Sequence, residues 1–137
     1  MQRTQRVTEP VFVDEVPLAL LDQIQAQLSQ ILGPRFIVVL AGSGGRIGAS
    51  HYHLAIQHTT TDLALETEGE VSPGFIEELY ALAWQMRRML ESRELARMDA
   101  SGPVRMLTWI SDVNCPSELR TAAAELAPDS RLLTPRH

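Results

Sequence analysis

Two histidines at alternate positions are the residues of this sequence whose types and spacing best suit chemistry. Across residues 51–57, polar or small side chains alternate with large apolar ones. Because successive side chains of a β-strand point to opposite faces, this pattern predicts a strand with His51 and His53 on one face. Two neighbouring imidazoles suit either half of a divalent-metal site or a polar, solvent-facing sheet surface.

The segment that follows decides whether carboxylates join these histidines. A hairpin centred between Thr60 and Thr61 places Glu68 opposite His53, with Glu66 two residues away on the same face. Two imidazoles with carboxylates would suit zinc or manganese at an open site that activates a water molecule. Threonine disfavours the positive φ of a two-residue turn, and a shift of one residue would separate the four side chains. The metal site and the plain sheet surface are therefore both open interpretations.

A histidine, a large hydrophobic residue and a histidine on one strand resemble the metal-binding motif of the HUH endonucleases, which include rolling-circle replication initiators and small transposases. The resemblance covers this three-residue motif and a tyrosine on a following helix. It implies a divalent metal held by His51 and His53, with Tyr80 as the nucleophile. The chain departs from that family in being acidic, whereas a phosphate backbone calls for a positive surface.

A glycine-rich loop at residues 42–48 offers a second comparison, because glycines after a strand can bring the backbone close to a pyrophosphate. Gly42 and Gly44 fit the dinucleotide-binding spacing. Ile47 stands where the third glycine is needed, and the following residues alternate as in a strand. The sequence therefore favours a hairpin loop.

Composition excludes several classes of function. All twelve basic residues are arginine, whereas a Walker-type phosphate loop, a Schiff-base enzyme, a protein-kinase site and a Ser-Lys pair each need a lysine. The net charge of −5 disfavours nucleic acid as a partner. No apolar run approaches the ~20 residues of a membrane span, and Cys115 is the single cysteine. We therefore expect a cytoplasmic protein without membrane contact or disulfides.

Apolar residues at the spacing of a helix face predict a first helix from Pro17 to Gly33, a second over residues 73–98 and a short third from Pro116. The predicted buried faces are Leu21, Ile24, Leu28 and Ile31 in the first helix, and Phe75, Leu79, Ala83, Met86 and Leu90 in the second.

Further strands are predicted at residues 35–41, 63–66 and 104–110. Since residues 35–41 are apolar on both faces, we expect them to form the central, most buried strand. The element order predicts an α+β fold, a mostly antiparallel sheet of about four strands with helices packed on one face. It would form one domain over residues 11–127, between a flexible arm at 1–10 and a tail at 128–137.

The second predicted helix carries another stripe, formed by Tyr80, Trp84, Arg87 and Arg88, with a composition typical of protein interfaces. The leading hypothesis is a small acidic, non-catalytic protein without a cofactor that binds another protein or itself as a homodimer. It would be of the accessory, inhibitor, immunity or adaptor type. The alternatives are burial of this stripe by the folded-back tail, and a metal-dependent hydrolase or HUH-like nuclease that uses His51 and His53.

Overall fold

The computed structural model describes residues 15–61, 63–92, 104–106, 121–122 and 124. The predicted arm, the predicted tail and Cys115 lie outside these residues. The elements in chain order are α1 (Leu18–Leu32), β1 (Phe36–Gly44), β2 (Ala49–His58), β3 (Ala64–Glu70), α2 (Phe75–Ser92) and β4 (Arg105–Met106).

The four strands form one sheet in the order β1-β2-β3-β4, and every neighbouring pair is antiparallel. Core residues of both helices pack together with alternate residues of β1, β2 and β3. The predicted α+β class, with helices on one face of a four-stranded sheet, is confirmed. In neither described helix do length and hydrophobicity reach what a membrane-spanning helix requires.

Helix α1 begins after Pro17, whose extended backbone forms the N-cap, and ends at Gly33, which adopts a φ of 95°. Three of its predicted core positions are buried, but Ile31 is 44% exposed and Leu32 is buried in its place. The assignment of Ile31 to the core was wrong. The next buried residue after Leu28 is four positions along the helix instead of three, so the side chain of Ile31 points outward.

Strand β1 lies at one end of the described sheet, and β2 is flanked on both sides. The prediction that residues 35–41 form the central strand was therefore wrong. Strand β1 is apolar on both faces although it is an edge strand, and α1 shields its free edge. The Gln25 side chain of that helix accepts a hydrogen bond of 2.7 Å from the backbone N–H of Leu40. An edge strand covered in this way can be as apolar as a central one.

The β2–β3 hairpin has the predicted register, with His53 opposite Glu68 and Ala55 opposite Glu66. Its last backbone hydrogen bond runs from His58 N–H to the Leu63 carbonyl at 2.9 Å. Four residues therefore form the loop, and a loop of this length does not need the positive φ values that disfavour threonine in a two-residue turn.

Helix α2 begins at Phe75, two residues later than predicted, and is described as far as Ser92. The N–H of Phe75 donates to the Ser72 carbonyl at 2.9 Å. The predicted apolar stripe is confirmed, since all five of its side chains are buried: Phe75, Leu79, Ala83, Met86 and Leu90.

Alternate residues of the sheet point away from the helices, and the centre of this second face is also inaccessible. Val39 and Ala55 are 0% exposed and Ala64 is 2% exposed, although none belongs to the core that the helices share with the sheet. Because these side chains are inaccessible to solvent, polar substitutions at these positions should be costly.

Candidate interaction surface

The two histidines of β2 lie on the sheet face that points away from the helices. Their neighbours Tyr52 and Leu54 belong to the core shared with α1 and α2, so strand alternation turns His51 and His53 to the other side. His51 is exposed and lies opposite Glu70, and His53 is half-buried. The structure thus places both imidazoles on one face, as predicted.

The two carboxylates predicted beside the histidines are held by an arginine from β4. The Arg105 guanidinium donates to Glu68 Oε1 at 2.9 Å and to Glu66 Oε1 at 3.4 Å. Register alone places these carboxylates on the histidine face, and Arg105 forms an ion pair with each of them. No sequence signal pointed to Arg105, because its contacts span 37 and 39 residues along the chain.

The Nδ1 atoms of the two imidazoles have different surroundings. His51 Nδ1 lies 3.0 Å from the hydroxyl of Ser50, a residue that is only 3% exposed. His53 Nδ1 is buried without a hydrogen-bond partner. Within the described part of the chain, no group of three or more His, Cys, Asp or Glu side chains is placed to hold a metal ion. The geometry therefore offers the predicted metal site no support beyond the shared face.

Tyr80 lies on the helical side of the sheet, so the sheet separates it from the two histidines. It is half-buried against the core, and its hydroxyl donates a hydrogen bond of 2.7 Å to Gln27 Oε1 on α1. The arrangement implied by the HUH resemblance needs the tyrosine and the imidazoles around one metal ion. The structure does not bring these three residues together, because α2 packs on the opposite face.

Trp84 is the large aromatic side chain that α2 presents to solvent, with 41% of its surface exposed. The Arg87 guanidinium lies 5.1 Å from the centre of the Trp84 ring and 5.6 Å from that of Phe36. A guanidinium at this distance from an aromatic face is held by a cation–π interaction. Arg87 thereby links the exposed indole to a core residue.

An ion-pair network fixes Arg87 from its other side. Its Nε lies 3.4 Å from Glu91, and Arg35 reaches the second carboxylate oxygen of Glu91 at 2.8 Å. Arg88 is exposed. The sequence predicted Tyr80, Trp84, Arg87 and Arg88 as one stripe, which we call the interaction surface. It did not predict the supporting roles of Phe36 and Glu91, whose contacts arise only when α1, β1 and α2 assemble.

Ile31 extends this surface on the neighbouring helix. The contacts Gln27–Tyr80 and Arg35–Glu91 show that α1 and α2 run in the same direction. Ile31 and Trp84 each lie four residues beyond the Gln27–Tyr80 contact, and both are exposed. One helical turn beyond a contact between parallel helices, two such side chains fall at the same level. The misassigned Ile31 is thus a surface residue beside the aromatic stripe.

The glycine-rich loop holds a carboxylate from the start of the described chain. Glu15 Oε1 accepts backbone hydrogen bonds from Arg46, Ile47 and Gly48 at 3.1, 3.2 and 3.2 Å. The backbone N–H groups of Ile47 and Arg46, together with the Arg46 charge, lower the pKa of Glu15. The loop joins two antiparallel strands, as the sequence favoured, and its amides brace the hairpin against the segment leading into α1.

Comparison with protein-family models, curated proteins and solved structures finds no match for this chain. The feature of this fold that points most directly to a function is the interaction surface on α2.

Proposed function

We propose that this chain is a small, cytoplasmic, non-catalytic protein-binding domain of the accessory, inhibitor, immunity or adaptor type, which acts through the interaction surface of α2. The observation that carries the proposal is Trp84, 41% exposed and fixed by the Arg87 guanidinium. An exposed tryptophan forgoes the stabilisation that its burial would give the folded chain. Its position at the surface therefore suits a role in binding.

Contacts within the folded chain preorganise Arg87 and Trp84 for binding. A side chain that is already immobilised loses less conformational entropy on binding than a mobile one. Arg87 is held by Glu91 on one side and lies against two aromatic rings on the other. The guanidinium packs against the Trp84 ring and restricts its motion. A partner would meet a rigid aromatic anchor flanked by the exposed apolar side chain of Ile31.

The charge of the chain narrows the class of partner. A net charge of −5 disfavours nucleic acid, whereas Arg87 and Arg88 in the second half of α2 offer local guanidinium groups. Arginine is enriched at protein interfaces because its planar group can stack and donate several hydrogen bonds at once. We therefore favour a protein partner, or a second copy of the chain.

Site-specific photo-crosslinking tests the proposal. Trp84 is replaced by the photoreactive residue p-benzoylphenylalanine in the full chain, which is irradiated in the cells that produce it. We expect discrete adducts whose partner peptides are identified by mass spectrometry and that disappear when excess unmodified protein is added. The matched control carries the same residue at Ile47, which is 94% exposed at the tip of the glycine-rich loop. Equal labelling at both positions, or no competed adduct at position 84, would overturn the proposal.

A further inference from the structure

We propose that the outward face of α2 binds a second copy of the chain through an antiparallel contact between two α2 helices. The inference rests on the proposed function, because both use the outward face of α2. It adds a specific contact geometry and a specific set of residues. The contact would involve Glu77, Ala81, Trp84 and Arg88.

These four residues form one stripe along the helix. Their spacings are four, three and four residues, which keeps side chains on a single line of a helix that turns about 100° per residue. All four are exposed. The stripe is opposite the buried positions Leu79 and Leu90, so it projects directly away from the core. This alternating spacing of three and four is the pattern of helices that pack along a seam.

The charges along the stripe are complementary to those of a second copy that runs in the opposite direction. Glu77 lies near the start of α2 and Arg88 near its end, at equal distances from a point midway between Ala81 and Trp84. A twofold axis through that point would set Glu77 of each copy against Arg88 of the other. The two pairs would be separated by about 16 Å along the helix. A twofold contact is self-complementary, and this stripe has the charges that such a contact requires.

The middle of the stripe is complementary in size. The same axis sets Trp84 of each copy against Ala81 of the other, so that a large ring meets a small side chain at both central positions. Alternation of large and small residues lets facing helices interdigitate without voids. The exposed indole, which would otherwise remain in water, is covered in the pair. The Arg87 guanidinium lies 5.1 Å from the centre of this ring.

Charge exchange provides the test. Sedimentation velocity measures the mass of the unmodified chain and of Glu77→Arg and Arg88→Glu separately, over a range of concentrations. We expect the unmodified chain to sediment at twice its 15.2 kDa mass. Each single variant brings like charges together at both ends of the contact, which should weaken the dimer by about tenfold or more. Far-UV circular dichroism establishes that each variant is folded.

Two restorations make the test specific. An equimolar mixture of Glu77→Arg and Arg88→Glu chains should form a heterodimer, because the arginine introduced into one chain then meets the glutamate introduced into the other. The native pair is kept at the second end of that contact. A chain with both changes should again form a homodimer. Asp22→Arg, the same change of charge at an exposed position of α1, should leave the mass of the dimer unchanged.

Each result bears on the inference. A monomeric unmodified chain, single variants that remain dimeric, or a mixture that stays monomeric would overturn it. The crosslinking experiment separates this failure from failure of the proposed function. Adducts of position 84 with a different protein would retain the protein-binding role and remove the second copy as the partner. Adducts with the chain itself would support both.

Discussion

The Arg105 guanidinium lies 2.9 Å from the carboxylate of Glu68, the residue that the strand register places opposite His53. The same guanidinium reaches Glu66 at 3.4 Å. One arginine thus pairs with both of the carboxylates that the sequence predicted as metal ligands. The strand register is as predicted, and a guanidinium engages the two carboxylates that it brings to the histidine face.

The first prediction concerns metal ions. Zinc or manganese should raise the melting temperature of the unmodified chain no more than that of a His51→Ala/His53→Ala variant. A ligand selective for the folded state would add ~3 kcal/mol at a hundredfold excess over its dissociation constant, so a specific site would be evident. Thermal unfolding with each metal and with EDTA provides the measurement. A rise confined to the unmodified chain would instead favour the metal-dependent hydrolase.

The second prediction concerns the acid sensitivity that Glu15 confers. Backbone N–H groups of the glycine-rich loop lower its folded-state pKa below the ordinary value of 4.5. The ionised carboxylate therefore stabilises the fold above the unfolded-state pKa, and this contribution is lost as pH falls through the folded-state value. Glu15→Gln, which keeps an acceptor oxygen, should lower the melting temperature at neutral pH and flatten its decline in acid. Identical pH profiles would contradict the role assigned to Glu15.

The third prediction concerns the sheet face that points away from the helices. Ala55 is 0% exposed there, whereas His51 is exposed on the same face of the same strand. Ala55→Arg should lower the free energy of unfolding by roughly 3 kcal/mol or more, because the site has no room for a solvated guanidinium. His51→Arg is the matched control and should change it by about 1 kcal/mol, the contribution of the hydrogen bond to Ser50 that it removes. Urea denaturation of both variants gives the comparison, and equal effects would show that the face tolerates charge.

The fourth prediction concerns Tyr52, which is 0% exposed. Burial, and then the charge and hydrogen bond of Glu78, raise the pKa of Tyr52 to about 12. Its neutral hydroxyl therefore stabilises the fold below the ordinary pKa of 10.0, and this contribution is lost as pH rises toward 12. Absorbance titration of the phenolate should lose its most alkaline component in Tyr52→Phe. Survival of that component would assign it to a different tyrosine.

The fifth prediction concerns Gly69, which faces Tyr52 across the β2–β3 pair. A Cβ atom at this position would lie 2.5 Å from the Tyr52 hydroxyl and 2.7 Å from the adjoining ring carbon. Because the ring is enclosed by the core, Gly69→Ala should cost about 1–3 kcal/mol of stability, measured by urea denaturation. In a Tyr52→Leu background the cost should fall, since the ring that clashes is absent. An equal cost in both backgrounds would mean that the ring is not the cause.

Local patterns determined much of this fold. The five apolar residues of α2 recur at the period of a helix, and all five are buried. Alternation along β2 placed His51 and His53 together, and residue counting around Thr60 and Thr61 gave the observed pairing with β3. These features depend on residues that are close in sequence, so periodicity and turn position suffice to predict them.

Assembly of distant segments decided the rest. The backbone N–H of Leu40 at the sheet edge donates a hydrogen bond to Gln25 of α1. A strand with the composition of a central strand therefore lies at the edge. Arg105 forms ion pairs with the carboxylates on the face of His53. Phe36 packs against the Arg87 guanidinium, which lies over Trp84. The sequence alone determined which residues share a face of each element. Only the tertiary structure decided what those faces meet, because contacts between segments far apart in the chain leave no periodic signal.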